Sequence, residues 1–272
     1  MAWNGLAPYT GALQYFDDSG TAIGDIQGGQ LRIDPNVQIE GGIGGQASSQ
    51  GGLIATTARV QLLEPVVGYL TGIPRATAST QSTAYDFECG TTDGDYNLTK
   101  VQPVGFTYEV SNDRPIPRVS IDYWAALIAE GTTGSGQAAS AGLTDCFNNF
   151  TVTVDTADYL CTRFSVSLQA RARWFRAFTG STRFPDAVIL GEERWRCSLD
   201  LAKKIPHASS SIIANSIDQD IDVLITGTGI TFTLSSLQTP TETGPFVGAG
   251  DLVLWTYDFE SLPGFGLCQI GG

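Results

Sequence analysis

Apolar and polar residues alternate along both arms of residues 159–201. A period of two is typical of a strand that buries one face. The apolar positions are Phe164, Val166, Leu168, Ala170 and Ala172 in the first arm and Trp195, Cys197, Leu199 and Leu201 in the return arm. The residues between the arms, 178–186, are rich in turn formers and too many for a two-residue turn. The pattern therefore predicts a long hairpin with a tip that is mobile or contacts a partner.

A second alternating pattern lies earlier in the chain. The apolar residues Leu31, Ile33, Val37 and Ile39 alternate with Arg32, Asp34, Asn36, Gln38 and Glu40. Pro35 interrupts this run, which indicates a bulge or an edge position. We interpret the Gly-rich residues 41–52 as a flexible loop rather than a strand, and residues 54–62 alternate again. Together these segments predict a second long hairpin.

The order of elements recurs after each hairpin. Each hairpin leads into a Pro-bearing segment that predicts a short helix, at Pro65 and at Pro206, and then into strand-like runs. The runs are 104–110 and 117–130 after the first hairpin, and 221–237 and 251–262 after the second. We interpret this order as a candidate internal duplication. The expected domains are an N-terminal arm at 1–28, a β domain at 29–130, a Gly/Ser-rich linker at 131–142 and a second β domain at 143–272.

Composition supports a mainly β fold of the sandwich or barrel type, with long hairpins and short flanking helices. Charged residues make up 16% of the 272 residues, and 32 residues are glycine. The net charge of −13 disfavours tight binding to a nucleic-acid backbone, because such binding needs Lys and Arg on the phosphates. The first residues have no signal-peptide pattern and no apolar run is long enough to cross a bilayer, so we expect a soluble, unsecreted protein without membrane contact.

Candidate catalytic and metal sites are weak in this sequence. His207 is the single histidine and lies outside any nucleophile motif, while Glu192 and Glu193 are adjacent and would point to opposite faces of a strand. We therefore predict no enzymatic activity, no metal and no cofactor. Cysteines stand at 89, 146, 161, 197 and 268, without metal-ligand spacing. We interpret them as free thiols, and a Cys161–Cys197 cross-link within the hairpin stays open as an alternative.

A cluster of charged residues marks the polar sides of the two hairpins. The candidate subunit-interface or wall residues are Arg163, Arg171, Arg173, Glu192, Arg194 and Arg196 on the second hairpin, and Arg32, Asp34 and Arg59 on the first. Two interpretations compete for the arginines: contact with an acidic neighbour or a polyanion, or a solvated face paired with its own Glu192 and Asp200. We favour pairing across subunits because the rest of the chain is acidic, and complementary charge fixes the register between subunits.

Several of these stretches resemble the tail tube proteins of long-tailed bacteriophages. The similar segments are FTVTVDTADYLCTRFSVSL at 150–168, EERWRCSLDL at 192–201 and VQLLEPVVGYLTGI at 60–73, and as a pattern the resemblance covers residues 29–262. It implies a β-sandwich with a flanking helix, whose long hairpins join those of neighbouring copies into a continuous barrel. Such rings stack into a hollow tube in the virion tail, assembled in the host cytoplasm with other tail proteins, and DNA passes through the lumen without specific binding.

The resemblance leaves the ring composition open. If the duplication is real, three chains build a ring of pseudo-sixfold symmetry, and otherwise six chains do. The Gly-rich residues 41–52, the tip at 179–186 and the N-terminal arm are the expected contacts between rings. The alternative function is a β-sandwich module that binds a receptor or a carbohydrate through exposed aromatic residues. The tryptophans available for that role are Trp3, Trp124, Trp174 and Trp255.

Overall fold

The computed structural model describes residues 8–35, 37–41, 47–51, 54–63, 65–77, 85–131, 147–176, 183–205, 221–246 and 253–272. The described strands of the first half are β1 (Tyr9–Asp18), β2 (Thr21–Ala22), β3 (Asp25–Asp34), β4 (Val37–Gly41), β5 (Ala47–Gly51), β6 (Ala55–Leu63), β7 (Tyr85–Thr91), β8 (Gly94–Ser111) and β9 (Arg114–Glu130). Those of the second half are β10 (Thr151–Val154), β11 (Ala157–Tyr159), β12 (Cys161–Phe175), β13 (Ala187–Leu201), β14 (Ile221–Thr226), β15 (Thr231–Phe246), β16 (Leu254–Ser261) and β17 (Cys268–Gly271). A short helix, α1 (Val67–Thr71), and a 3₁₀-helix at Phe147–Asn149 complete the described elements. The predicted mainly β fold is confirmed, as is the first Pro-led helix, while the segment around Pro206 lies outside the described residues.

The first half closes into a barrel. Its strands follow the order β8-β7-β1-β3-β6-β9, and β9 returns to pair with β8, so the ring of hydrogen-bonded strands has no end. All of these pairings are antiparallel. Closure of this kind removes exposed strand edges, which otherwise invite aggregation. β4 and β5 form a separate two-stranded extension of the β3–β6 hairpin.

The second half forms an open sheet that continues from the barrel. Its order is β11-β10-β14-β15-β16-β13-β12, and β17 adds to β15. The junction with the first half is β8, which is long enough to have two partners on one edge. Its beginning pairs with β7, and its end pairs with β12 from Gly105↔Gln169 to Ser111↔Arg163. The two halves therefore share one sheet.

Six antiparallel pairings recur in the two halves among the described residues. The first half has β1–β2, β1–β7, β3–β6, β6–β9, β7–β8 and β8–β9, and the second has β10–β11, β10–β14, β12–β13, β13–β16, β14–β15 and β15–β16. The register shifts recur as well. The shift between Ile26 and Gly28 in β3 matches that between Cys161 and Arg163 in β12. Two residues that these pairings and register shifts align, one in each half, are called matched positions.

The backbone geometry follows the same correspondence. Ser19 and Asp155 have φ values of 51° and 55°, and Lys100 and Ser236 have values of 55° and 56°. Positive φ is uncommon outside glycine, yet these residues form two pairs, each 136 residues apart in sequence. Carboxylates at matched positions stabilise the second pair: the Lys100 amide donates to Asp86 Oδ1 at 3.0 Å, and the Ser236 amide donates to Asp222 Oδ1 at 3.2 Å. These details support the candidate duplication.

Most of the predicted apolar positions of the two hairpins are buried in the core, while Ala170 and Ala172 are half-buried and Val37 and Ile39 lie outside the described side chains. Phe164, Val166 and Leu168 on β12 are buried, and so are Trp195, Cys197, Leu199 and Leu201 on β13. The Trp195 ring is fully buried and meets Phe106 of β8 edge-on, with 6.3 Å between ring centroids. Complete burial of a large apolar side chain stabilises the fold by about 1.5–3 kcal/mol. This core holds β12 and β13 flat against the strands behind them.

Two sequence expectations about the chain before residue 53 need correction. Residues 9–28 are not an arm outside the fold: they form β1, β2 and the start of β3, and Phe16 and Ile23 are fully buried. A register shift between Leu13 and Tyr15 breaks the alternation of β1, which hid it in the sequence. The Gly-rich loop assigned to 41–52 includes Gly41 at the end of β4 and the whole of β5, because backbone hydrogen bonds between strands need no apolar side chain. Residues 1–7, 42–46 and most of the expected linker, 132–142, lie outside the described residues.

Candidate functional site

The charged positions predicted from the sequence lie on one side of an eight-stranded run of the shared sheet. The run has the order β3-β6-β9-β8-β12-β13-β16-β15, which is four strands from each half in the same order. We call its hydrophilic side the polar face. Its described members include Gln30, Arg32, Asp34, Thr57, Arg59, Gln61, Arg118, Ser120, Asp122, Thr107, Glu109, Arg163, Ser165, Ser167, Gln169, Arg194, Arg196, Ser198, Asp200, Thr256, Asp258 and Glu260.

The polar face is continuous across the junction between the halves. One row of directly opposite residues runs through six strands: Gln61, Ser120, Thr107, Ser167, Arg196 and Glu260. Directly opposite residues in antiparallel strands place their Cβ atoms about 4.5–5.5 Å apart. The two halves therefore present a single curved hydrophilic wall rather than two separate surfaces.

Ion pairs cross the matched strand pairing in each half, β6–β9 in the first and β13–β16 in the second. Arg59 of β6 donates two hydrogen bonds to Asp122 of β9, at 2.6 and 3.0 Å. The hydrogen bonds that Arg59 donates to Asp122, together with the charge of that carboxylate, raise the pKa of Arg59 above the ordinary guanidinium value. On β13, Arg194 and Arg196 reach Glu260 of β16 at 3.0 and 3.2 Å. These pairs are solvent-exposed, so each stabilises the fold by no more than about 1 kcal/mol.

Arg163 has its partner in the other half of the chain. Its guanidinium lies 3.0 Å from Glu109 of β8 and so ties β12 to the barrel at the junction. Arg32 pairs with Asp34 on its own strand at 3.2 Å. Neither Glu192 nor Asp200, the partners considered within the hairpin, forms the ion pair with Arg163. Acidic residues of the same chain thus pair with Arg163, Arg194 and Arg196. These three arginines therefore give no reason to expect an acidic partner in a neighbouring subunit.

Arg171, Arg173 and Glu192 lie towards the far end of the second hairpin. All three are exposed, beyond or beside the register shift between Ala170 and Ala172. Among the residues that the structure describes, no carboxylate lies within ion-pair distance of Arg171 or Arg173. For these two arginines, pairing across subunits stays a prediction.

The charges among the members of the polar face named above balance, and Arg171, Arg173 and Glu192 near the end of the second hairpin are not in this count. The arginines are Arg32, Arg59, Arg118, Arg163, Arg194 and Arg196, and the carboxylates are Asp34, Glu109, Asp122, Asp200, Asp258 and Glu260. The second hairpin considered alone is basic, but its compensating acids come from β8 and β16, which are distant in sequence. These members make the described wall hydrophilic and close to neutral, apart from the exposed Arg171 and Arg173 towards the end of the second hairpin.

A buried ion pair, which we call the clasp, fastens the first half of the chain to the second. Arg75, in the segment after α1, lies 2.7 Å from Glu193 of β13, and their side chains are 1% and 2% exposed. The guanidinium also donates to the carbonyl oxygens of Leu190 and Gly191, and Trp195 Nε1 donates to Glu193 Oε2 at 3.2 Å. Nearly every polar atom of the pair is thus engaged, which is what makes a buried pair tolerable.

Sequence reasoning missed this clasp, although two signals were present. Glu193 is a charge on the apolar side of a strand, in phase with Trp195, and a charge at such a position is almost always paired. Arg75 lies in the segment Ile73-Pro-Arg-Ala, and the sequence repeats this as Ile205-Pro-His-Ala. The repeated segment flags a position of structural importance, but its partner lies 118 residues away. Only the folded chain identifies that partner.

The end of the second hairpin is held by the first half. Arg183 donates from Nη2 to the carbonyl of Pro35 at 2.6 Å and accepts at its own carbonyl from the Ile54 amide at 2.9 Å. Lys100 Nζ donates to the carbonyl of Asp186 at 3.0 Å. Of the tip assigned to 179–186, the described residues 183–186 therefore contact this chain, and residues 177–182 lie outside the described part.

The tryptophans considered for a binding platform are engaged within the chain. Trp124 and Trp174 stack on each other with 3.8 Å between ring centroids and an interplanar angle of 5°. Lys204 lies 4.8 Å from the centre of the Trp255 ring, a cation–π contact. Trp3 lies outside the described residues. Three of the four rings thus already have a partner in the chain.

The cross-link between Cys161 and Cys197 is wrong. Both are free, as are Cys89 and Cys268, which confirms the free thiols for the described cysteines. The strand register explains this, because Cys161 lies opposite Leu201 and Cys197 lies opposite Val166. Burial raises the pKa of Cys161 to about 12, so its thiol stays protonated at neutral pH, and it donates to the Arg163 carbonyl at 2.9 Å.

Neither protein-family models nor curated protein sequences match this chain. Within the described part of the chain, no helix is long and apolar enough to cross a membrane, and no group of three or more His, Cys, Asp or Glu side chains is arranged to hold a metal ion. His207 lies outside the described residues.

The two ends of the eight-stranded run differ in their edges. At one end, Leu237 of β15 has β14 on one edge and β16 on the other. Further along, residues 241–246 keep β16, but among the described residues no strand pairs with the opposite edge, which we call the open edge. At the other end, β3 has β6 on one edge, and residues 9–12 of β1 lie on the other along residues 30–33.

Proposed function

We propose that this chain is a structural virion protein, the subunit of a bacteriophage tail tube, whose stacked rings form a hollow conduit for DNA. The observation that carries the proposal is the polar face. Four strands from each half build it in the same order, and it stops at an edge of β15 with which no described strand pairs. Such a run is a segment of wall that a further copy can extend.

The junction between the halves supplies the rule for that extension. Within the chain, the end of β8 accepts β12 from the second half. In the correspondence between the halves, β8 matches β15, which lies at the far end of the run, and β12 matches β3. A second copy therefore adds its β3 to the open edge, and this head-to-tail contact generates a closed ring if the rotation per subunit closes.

The size of the ring follows from the strands per chain. Eight strands from each of three chains give a barrel of about 24 strands, wide enough for an aqueous lumen because barrel diameter grows with strand number. Three chains would also give the pseudo-sixfold symmetry that the duplication predicts. A ring of six chains, each contributing one hairpin to the wall, is the competing arrangement.

The chemistry of the polar face suits passage of DNA rather than its binding. Arg59, Arg163, Arg194 and Arg196 are already paired with carboxylates, so they cannot exchange counterions with phosphates without first losing those pairs. The net charge of −13 adds a weak repulsion of the polyanion. In this proposal the candidate residues line the lumen, other copies of the chain and other tail proteins are the partners, and the assembled protein resides in the virion tail.

Negative-stain electron microscopy of the concentrated protein, together with its sedimentation profile, tests the proposal. We expect rings or hollow tubes with a regular axial repeat. A chain that stays monomeric at every concentration and gives a signal on a glycan array would contradict the tube and favour the alternative, a receptor- or carbohydrate-binding module.

A further inference from the structure

We infer that residues 9–12 of β1, the cover segment, protect the β3 edge in the free chain and must leave it before a second copy of this chain can pair there. The inference rests on the proposed function, because the occupant it names is the open edge of another copy. The cover segment is then a built-in brake on assembly.

The second half shows what the β3 edge pairs with when no cover is present. Residues 30–33 of β3 match residues 165–168 of β12, and the latter pair with residues 106–109 of β8. In the first half, the cover segment lies in the place that β8 has on β12. The residues of β15 that match the β8 segment are 242–245, which belong to the open edge.

β1 of the first half matches β10 of the second, but the residues that lead into these two strands take different courses. β10 begins at Thr151 and follows the 3₁₀-helix at Phe147–Asn149, so from residue 147 onwards no described strand before β10 competes with β8 for β12. In the first half the strand begins at Tyr9 and runs onto β3. The start of β1 thus occupies the outer edge of β3 in the first half, whereas the start of β10 leaves the outer edge of β12 available in the second.

The cover segment is joined to the core by few side chains. Thr10 and Ala12 are exposed, and Tyr9 supplies the main contacts: its hydroxyl lies 2.7 Å from Thr91 Oγ1, and its ring is 5.8 Å from that of Tyr96. Gly11 is buried but has no side chain, and the first buried side chain of β1 is that of Leu13, from which the strand pairs with β7 rather than β3. Residues 9–12 can therefore separate from β3 while the rest of β1 stays in the core.

The matched positions give the register of the exchange. Thr107 lies opposite Ser167 at the internal junction. Their matched positions are Thr243 and Arg32, which we expect to lie opposite each other between two copies. In the free chain Arg32 lies opposite Thr10 of the cover segment. Pro245, within the open edge, limits uncontrolled pairing there, as proline does on natural edge strands.

A disulfide lock in the full chain tests the cover. In Thr10→Cys/Arg32→Cys the two cysteines lie opposite each other, at a separation that antiparallel strands and disulfides share. We expect the oxidised form to associate at least tenfold more weakly than the same protein after reduction, measured by sedimentation velocity. The control is Thr107→Cys/Ser167→Cys, the matched lock at the internal junction, which should associate equally in both redox states.

Two further variants test the exchange from the other side. Arg32→Cys/Thr243→Cys should form disulfides between copies on assembly, seen as a ladder on a non-reducing gel, whereas either single variant should not. Tyr9→Ala loosens the cover and should lower the concentration needed for association severalfold. An oxidised Thr10–Arg32 lock that assembles as well as its reduced form overturns the cover and leaves the tube standing. Failure of every variant and of the unaltered chain to associate overturns both.

Discussion

The barrel of the first half and the open sheet of the second are built from the same six strand pairings, yet among the described strands only the first half closes. The difference lies in the first strand of each long hairpin. The outer edge of β3 pairs with the chain's own β1, whereas the outer edge of β12 pairs with β8 of the other half. One strand arrangement thus gives a sealed barrel or an extendable sheet according to which segment takes that edge. In the proposed tube, the identity of that segment, rather than the pairing within the unit, would decide whether a further copy extends the sheet.

The largest expected difference between the halves is at matched positions in the core, Trp195 and Thr56, both fully buried. We expect Trp195→Ala to lower the free energy of unfolding by about 3–5 kcal/mol, because it opens a large cavity. Thr56→Ala should cost close to nothing, because the Thr56 hydroxyl is buried without a hydrogen-bond partner among the described residues. Urea unfolding measures both values. Similar losses at the two positions would contradict the packing described for β6 and β13.

The clasp gives the next largest effect, and it joins Arg75 of the first half to Glu193 of the second. We expect Glu193→Ala to cost about 3–5 kcal/mol, because it leaves the buried Arg75 charge unpaired. The control is the exposed neighbour Glu192→Ala, which should change stability by no more than about 0.5 kcal/mol. Urea unfolding of the two variants checks this, and a Glu193 variant as stable as the Glu192 variant would show that the clasp does not hold the halves together.

A smaller effect tests the equivalence of the halves directly. Asp86 and Asp222 each accept a hydrogen bond from the amide of a positive-φ residue, Lys100 or Ser236. Replacing either aspartate with alanine should lower the free energy of unfolding by about 1 kcal/mol, and the loss should be similar in the two halves. The double variant should show the sum of the two losses, because distant sites act independently. A clear loss at one position and none at the other would break the proposed correspondence.

The smallest effect concerns the exposed ion pairs of the polar face. Arg59→Ala and Arg196→Ala should each cost less than about 1 kcal/mol, and the loss should shrink in high salt because the charges are screened. The pKa of Arg59 is raised, so its contribution is complete below the ordinary guanidinium range and is lost only as the pH rises through the raised pKa. Salt titration of thermal unfolding is therefore the suitable measurement. Losses that grow with salt would exclude an electrostatic origin.

Local pattern predicted much of this fold, and long-range pairing accounts for what it missed. The alternation along β12 and β13 placed their buried and polar sides correctly, since strand side chains alternate whatever their partner. β1 was missed because a register shift at Leu13 breaks its alternation. The acids that neutralise Arg163 and Arg196 come from strands distant in sequence, Glu109 of β8 and Glu260 of β16. Their pairing depends on a sheet order that no local pattern encodes.

The number of chains in one layer of the assembled tube tests the central claim most directly. Electron cryomicroscopy of end-on views, or the mass per unit length divided by the axial repeat, gives this number. If the two matched halves of the chain each supply four strands to one wall, a layer contains three chains and shows six similar lobes. Six chains per layer, each lining the lumen with a single hairpin, would contradict the account.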